Sequence, residues 1–234
     1  MLILAIDTSG QSGGITLAEA DKGSFRVIES AAIAGGTFSA QLIPTLAGLL
    51  KKHGYGVQDM GGFAAASGPG SFTGLRVGLS AIKGLAETLH KPIATVSVLE
   101  ALASLADRDG KIAAVMDAGR KEVFLGLYDR SAKNPAQNPD HTLLVQREEL
   151  LTQQDFLATL STERPAVIIT SDAGIAELAA ASHSSIVVVT PPGSEVIARI
   201  GAGKLLAGET VSVEALDANY LRRSDAEIFF KGNR

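Results

Sequence analysis

The sequence predicts an α/β protein of two duplicated lobes, each a mixed sheet flanked by helices on both faces. Three observations carry that prediction. Strand-like apolar runs alternate with helical stripes along the 234 residues. An apolar strand ending in aspartate occurs twice, closing at Asp7 and again at Asp117, an offset of 117 − 7 = 110 residues. With 46% hydrophobic and 20% charged residues, the chain has enough apolar material for a large core, and global disorder is excluded.

In the first half, residues 2–6 are continuously apolar, as in a strand buried on both faces. Residues 15–18 and 25–28 follow glycine turns at Gly13-Gly14 and Gly23, which predicts an antiparallel meander. The period then changes. Between Phe38 and His53, Leu42, Leu46 and Leu49 recur at helical spacing with Ile43 and Leu50 beside them, while Pro44 implies a late start or a kink. Residues 62–67 form a short buried strand, 71–90 a long helix, 92–97 a strand, and 98–106 a helix that closes the lobe.

The second half repeats this plan. Residues 112–117 match the first strand, and 123–128 return after a turn at Gly119. A third strand (142–145), a helix (148–160), a strand (167–170), a short helix (175–181), a strand (186–189) and a helix (195–207) complete the parallel. Each sheet should be antiparallel at its meander and parallel where helices cross over. The lobes divide as 1–106 and 107–212, with the last helix either kept in its own lobe or packed back on the first. Residues 131–140, with Pro135 and Pro139, form a surface loop, and 213–234 form an irregular tail.

Composition narrows the function. Lysine and arginine number 21 against 25 acidic residues, a net charge of −4, so the chain has no basic excess to hold a phosphate backbone. A role with nucleic acid needs a partner. Three tyrosines, eight phenylalanines and no tryptophan offer no platform for stacked bases. The absence of cysteine removes disulfides, zinc–thiolate sites, iron–sulfur clusters and thiol nucleophiles, and it fits a cytoplasmic protein. The apolar opening is too short for a signal peptide, and no stretch reaches the roughly 18 apolar residues of a bilayer span.

Several motifs carry possible chemistry. Asp7-Thr8-Ser9-Gly10 and Asp117-Ala118-Gly119-Arg120 each follow a strand, the position at which two-lobed ATPases meet a metal or phosphate-bound water. An aspartate there also serves simply to cap a turn. Gly10 to Gly14 has the spacing of a nucleophile elbow but leads into a strand rather than a helix. Gly201-Ala202-Gly203-Lys204 resembles half a P-loop, yet Leu205 stands where the magnesium-holding hydroxyl belongs. His53, His90, His141 and His183 are isolated, so no helical metal pair exists.

The most specific segment is Ser67-Gly68-Pro69-Gly70-Ser71-Phe72-Thr73-Gly74-Leu75-Arg76-Val77-Gly78. Ser71 and Thr73 supply hydroxyl caps at a helix start. Three stripes then separate along the helix. Leu75, Leu79, Ile82, Ala86 and Leu89 face the sheet, Arg76, Ser80, Lys83 and Glu87 face water, and Gly74, Gly78 and Ala81 form a stripe of small residues. Interior glycines cost a helix about 1 kcal/mol each, so something must approach closely to offset them. A partner's helix or a neighbour in the same lobe would each do so.

At these residues the chain closely resembles the TsaB (YeaZ) family of bacterial threonylcarbamoyladenosine biosynthesis proteins. The resemblance rests on Ile3 to Ser9, Gly68 to Gly78, Leu99-Glu100-Ala101-Leu102-Ala103, Asp117-Ala118 with Arg120, and Tyr220-Leu221-Arg222, and it covers nearly the whole chain. It implies a duplicated fold of the actin/sugar-kinase/heat-shock-protein ATPase-like (ribonuclease H-like) type. It also implies a subunit that supports its larger paralogue TsaD, with the ATPase TsaE, in moving a threonylcarbamoyl group from its adenylate to the tRNA adenosine beside the anticodon. TsaD carries a His-x-x-x-His metal pair in this region, and Val98 and Leu102 stand at those positions here. Neither can ligate a metal. Where the family often has proline before the tail tyrosine, this chain has Ala218-Asn219, which leaves the tail's path open.

The expectation is therefore a non-catalytic subunit with no catalytic residue and no metal site. Asp7, Thr8, Ser9 and Asp117 form a weak, degenerate nucleotide site at most, and ATP with magnesium binds only in the complex. The partner interface is expected at Leu42, Leu46, Ser71, Phe72, Thr73, Gly74, Arg76, Gly78 and Ala81. Partners are TsaD and TsaE, tRNA is met only through the complex, no membrane is involved, and the protein alone is a homodimer. The alternative is an autonomous ATPase or kinase of the actin-like superfamily using Asp7 and Asp117. A peptidase finds neither zinc ligands nor a placed nucleophile.

Overall fold

The computed structural model describes residues 1–130, 143–182, 185–219 and 221. Among them the first half of the chain runs β1 (Leu2–Asp7), β2 (Ser12–Asp21), β3 (Ser24–Ala34), α1 (Phe38–His53), β4 (Gly62–Gly68), α2 (Phe72–Leu89), β5 (Ile93–Ser97) and α3 (Val98–Ser104). The second half runs β6 (Gly110–Gly119), β7 (Glu122–Arg130), β8 (Leu143–Thr152), α4 (Gln153–Glu163), β9 (Val167–Thr170), α5 (Ala173–Ala180), β10 (Ile186–Val188) and α6 (Ser194–Ala207). The chain divides into two compact units, Met1–Val98 with Pro192–Asn219, and Leu99–Pro191 together with Leu221.

The two sheets have the same plan. The first has strand order β3-β2-β1-β4-β5 and the second β8-β7-β6-β9-β10. In each, the meander is antiparallel and the last two strands run parallel to the first. The predicted fold class is the observed one: two mixed sheets flanked by helices.

Alternation along the central strands decides which helix meets which face. In the first unit Leu4, Ile6 and Ala65 share a core with Leu42, Leu46 and Leu49 of α1 and Leu75, Leu79 and Ile82 of α2. On the other face lies α6, whose Gly201 would place a Cβ only 2.3 Å from Ala64 Cβ. Two contacts at its ends hold this helix. The Ser194 and Thr16 hydroxyls are 2.8 Å apart, and Lys204 Nζ donates to the Thr95 carbonyl at 3.1 Å. α1 is one continuous helix from Phe38 that includes Pro44, so the late start is not adopted.

In the second unit, Ala113, Val115 and Ile168 pack with Phe156 and Leu160 of α4 and Ile175 of α5. Ile112, Ala114 and Ile169 face the other way and pack with Leu99, Leu102 and Ala103 of α3 and with Ala106. The helix that was to close the first lobe thus belongs to the second sheet, and the first boundary falls at Val98 rather than after Ala106. The last helix belongs to the first sheet. Arg130, at the end of β7, secures α3 by donating to the carbonyls of Ala106 and, at 3.1 Å, Ser104.

One element differs in type. Residues 148–152 continue β8, with Glu148, Glu149, Leu150 and Leu151 opposite Gly126, Leu125, Phe124 and Val123, and the helix starts only at Gln153. There the Thr152 hydroxyl caps it by accepting from the Asp155 N–H at 3.1 Å. After α6 the chain lies on the first unit. Val211 bridges to Ile93, Leu216 and Ala218 are buried, and the Asn219 N–H donates to the Ser67 carbonyl at 2.7 Å. The loop expected at 131–140, together with Tyr220 and the tail from residue 222, lies outside the described residues.

Candidate functional site

The turn after β1 is built from groups that satisfy one another. Asp7 Oδ1 accepts from the Ser9 N–H at 2.9 Å and from the Ser9 hydroxyl at 2.7 Å. Asp7, Thr8 and Ser9 are all buried, at 4%, 2% and 7% exposure. Burial pushes the Asp7 carboxyl above its ordinary value of 3.8, and the two bonds from Ser9 only partly offset this. The segment from Gly70 through the start of α2 covers the turn. The Ser9 carbonyl accepts from the Ser71 N–H at 2.7 Å, and Ser71 Oγ accepts from the Gly74 N–H at 3.3 Å.

The glycines of this segment face the turn. A Cβ on Gly70 would lie 2.4 Å from the Ser9 carbonyl oxygen, one on Gly74 2.1 Å from the Thr8 carbonyl oxygen, and one on Gly78 2.4 Å from Thr8 Oγ1. The close neighbour that offsets the cost of Gly74 and Gly78 is therefore the same unit's own turn, not a partner's helix.

That finding corrects the expected interface. Gly74 and Gly78 are closed off by Thr8, and Leu42 and Leu46 lie in the core of the first unit, so none of these four offers surface. Ser71, Thr73 and Arg76 are exposed, while Phe72 and Ala81 are half-buried. The Arg76 guanidinium stacks on the Phe72 ring, 3.7 Å from its centroid. Sequence reasoning did not pair Thr8 with the glycines. The only signal was their four-residue spacing.

The second aspartate turn repeats the first at one bond. Asp117 Oδ1 accepts from the N–H two residues on, that of Gly119, at 2.9 Å. Here the aspartate is exposed. The strands close through Arg120 and Lys121, both with left-handed backbone (φ 56° and 60°), a conformation that costs an ordinary residue about 1–2 kcal/mol. The two aspartates thus share a turn but not an environment.

The remaining candidates are placed as follows. Val98 and Leu102 are buried apolar residues at the start and middle of α3. Among the described residues no three His, Cys, Asp or Glu side chains converge as metal ligands. His53 Nε2 and Lys52 Nζ both meet Glu29 Oε2 at 2.6 Å, and His90 ends α2 in left-handed backbone. His141 and His183 lie outside the described residues. The half P-loop at 201–204 is helix interior, and among the described residues no helix is long and apolar enough to cross a membrane.

Comparison with known proteins agrees with this architecture. The family model described as TsaD, tRNA N6-adenosine threonylcarbamoyltransferase, matches residues 31–150. The tRNA threonylcarbamoyladenosine biosynthesis protein TsaB of Bacillus subtilis is 30% identical over 236 residues, covering 97% of this chain and 96% of the relative. The chain belongs to the TsaB family. TsaB of Escherichia coli is 28% identical, with coverage of 97% and 96%. Among solved structures, YeaZ from Pseudomonas aeruginosa superposes with a TM-score of 0.70 at 24% identity, covering 93% of this chain and all of that one. A second, described as an uncharacterized protein with similarity to peptidase YEAZ from the same organism, gives 0.72 at 25% identity, with coverage of 94% and 99%. In this chain the opening aspartate turn is a buried, internally bonded element of the first unit.

Proposed function

We propose that this chain is a non-catalytic subunit of the cytoplasmic machinery that forms threonylcarbamoyladenosine in tRNA. The observation that carries this reading is the match to TsaB over 97% of the chain. It supports TsaD through a docking surface on the exposed side of α2, at Ser71, Phe72, Thr73, Arg76 and Ala81. TsaE joins the same assembly, and tRNA is met only there. Without TsaD, the protein pairs with a second copy of itself.

The residues are consistent with a supporting role. The apolar pair Val98 and Leu102 has no donor for a metal. Asp7 spends one oxygen on Ser9 and is buried, a poor start for gripping magnesium-nucleotide, so ATP belongs to the complex. The rival reading, an autonomous ATPase or kinase, is favoured by one observation, the same aspartate-to-amide bond in both turns.

Two measurements on the purified protein separate the readings. A supporting subunit co-elutes with TsaD from the same cell and shows no magnesium-ATP turnover alone. Turnover that Asp7→Ala removes would support the rival.

A further inference from the structure

We propose that residues 222–234 cover the open end of the apolar face that the second sheet turns toward α3, with Ile228, Phe229 and Phe230 as the anchor. Both sheets carry helices on both faces, and this face has the shortest cover. α3 has seven residues, about 10 Å of helix, against fourteen residues, about 21 Å, for α6 on the first sheet. The carbonyl of its last residue, Ser104, accepts from Arg130 at 3.1 Å. From Arg130 back to Phe124, β7 runs about 20 Å, so α3 covers one end of the face only. At the other end Met116, Phe124 and Leu150 stand side by side on three neighbouring strands, Phe124 buried and its two neighbours half-buried. At the sheet edge Val187, the register partner of Ile169 on this face, is 40% exposed. An apolar sheet face of this kind is ordinarily closed by a second layer.

The described chain arrives at this face. Leu221 packs on the same cluster, as do Met116, Leu150 and Val189. The next six residues hold four charges and no large apolar side chain; Ile228, Phe229 and Phe230 follow, and then Lys231. Seven residues from Leu221 reach up to about 23 Å. Five strands about 4.8 Å apart span about 19 Å, so the triplet can reach any strand of the face. Because Leu221 already fixes the near end, covering by this segment is an intramolecular event with a high effective concentration. A second copy of the chain has no such advantage.

The three methionines make the test specific: Met1 is 40% exposed, Met60 is fully buried in the first unit, and Met116 lies in the row to be covered. The full chain is oxidised with dilute hydrogen peroxide and each sulfoxide is followed by peptide mass spectrometry. The double variant Phe229→Ser, Phe230→Ser should oxidise Met116 about tenfold faster than wild type and leave Met60 unchanged, while Phe229→Leu, Phe230→Leu should stay within about threefold of wild type. A folded serine variant with the wild-type Met116 rate overturns the proposal. So does wild-type protection of Met116 that fades on dilution, which would assign the cover to a second copy. If the serine variant does not fold, and Met60 reacts as fast as Met116, a nitroxide on Gly232→Cys in the otherwise unchanged chain, which has no other cysteine, decides. Loss of the Met116 methyl signal in the magnetic-resonance spectrum supports the cover, and an unbroadened signal overturns it.

Discussion

Replacing Gly201 by alanine should destabilise the protein even though it improves the helix. Alanine gains about 1 kcal/mol of helix propensity over glycine. Against that, the new Cβ would lie 2.3 Å from Ala64 Cβ, where carbon atoms in contact prefer about 3.5–4.0 Å. Neither atom can rotate away, so α6 must lift by about 1 Å or β4 must bend. Overpacking of this kind costs about 1–3 kcal/mol. A lifted helix also strains the Ser194–Thr16 and Lys204–Thr95 bonds, each worth about 0.5–1.5 kcal/mol. The balance is a net loss of about 1–3 kcal/mol, and for a chain of this size about 2–4 °C of melting temperature accompanies each kcal/mol. Scanning calorimetry on the full chain should therefore show a fall of about 3–10 °C. Adding Ala64→Gly should recover most of it, because the nearest atom then becomes Ala64 Cα at 3.5 Å. A Gly201→Ala protein as stable as wild type would refute the packing of α6 on β4 at this depth, and so would a double variant without recovery.

Two further substitutions probe the buried polar groups. Asp7 has its folded-state value raised above 3.8 by burial, so its favourable contribution is complete below 3.8 and is lost as pH rises through the raised value. Asp7→Asn keeps an oxygen for Ser9 without the charge; denaturant melts should find it more stable than wild type at pH 7, with the gap closing toward pH 4, and a less stable variant at pH 7 would contradict this. Arg130 is buried, donates to the carbonyls of Ser104 and Ala106 at and just past the end of α3, and among the described residues its Nε has no partner, so Arg130→Met should cost about 1–3 kcal/mol net, the lost charged bonds outweighing the relief of a buried charge. A melt of the Met variant that matches wild type would remove Arg130 as the anchor of α3.

Much of the architecture was legible because the chain repeats a pattern that few folds share. A strand closing on Asp7 and another on Asp117 marked two lobes, and the structure returns the same strand order and the same aspartate-to-amide bond in each. The stripes of α2 were equally plain: Leu75, Leu79 and Ile82 are buried, and Arg76 and Ser80 are exposed. What periodicity cannot carry is the identity of the neighbour. It says that α3 and α6 each have an apolar face but not which sheet receives it, and each is received by the unit outside its own run of strands. It says that Gly74 and Gly78 admit something close, while the object admitted, Thr8, lies some seventy residues earlier in the chain. Residues 148–151 carry two glutamates and two leucines, which suit a helix start, and only the partner strand at 123–126 makes them a strand. For Arg130 there was no signal, since its burial arises wholly from tertiary packing.

The most direct test of the functional account is a reconstituted modification reaction containing this chain, TsaD and TsaE from the same cell, unmodified tRNA, threonylcarbamoyl adenylate and magnesium-ATP. Threonylcarbamoyladenosine in the tRNA is measured by mass spectrometry with each protein omitted in turn. The account predicts that omitting this chain abolishes the product and that this chain without TsaD forms none. Full product in its absence, or product from this chain without TsaD, would contradict it.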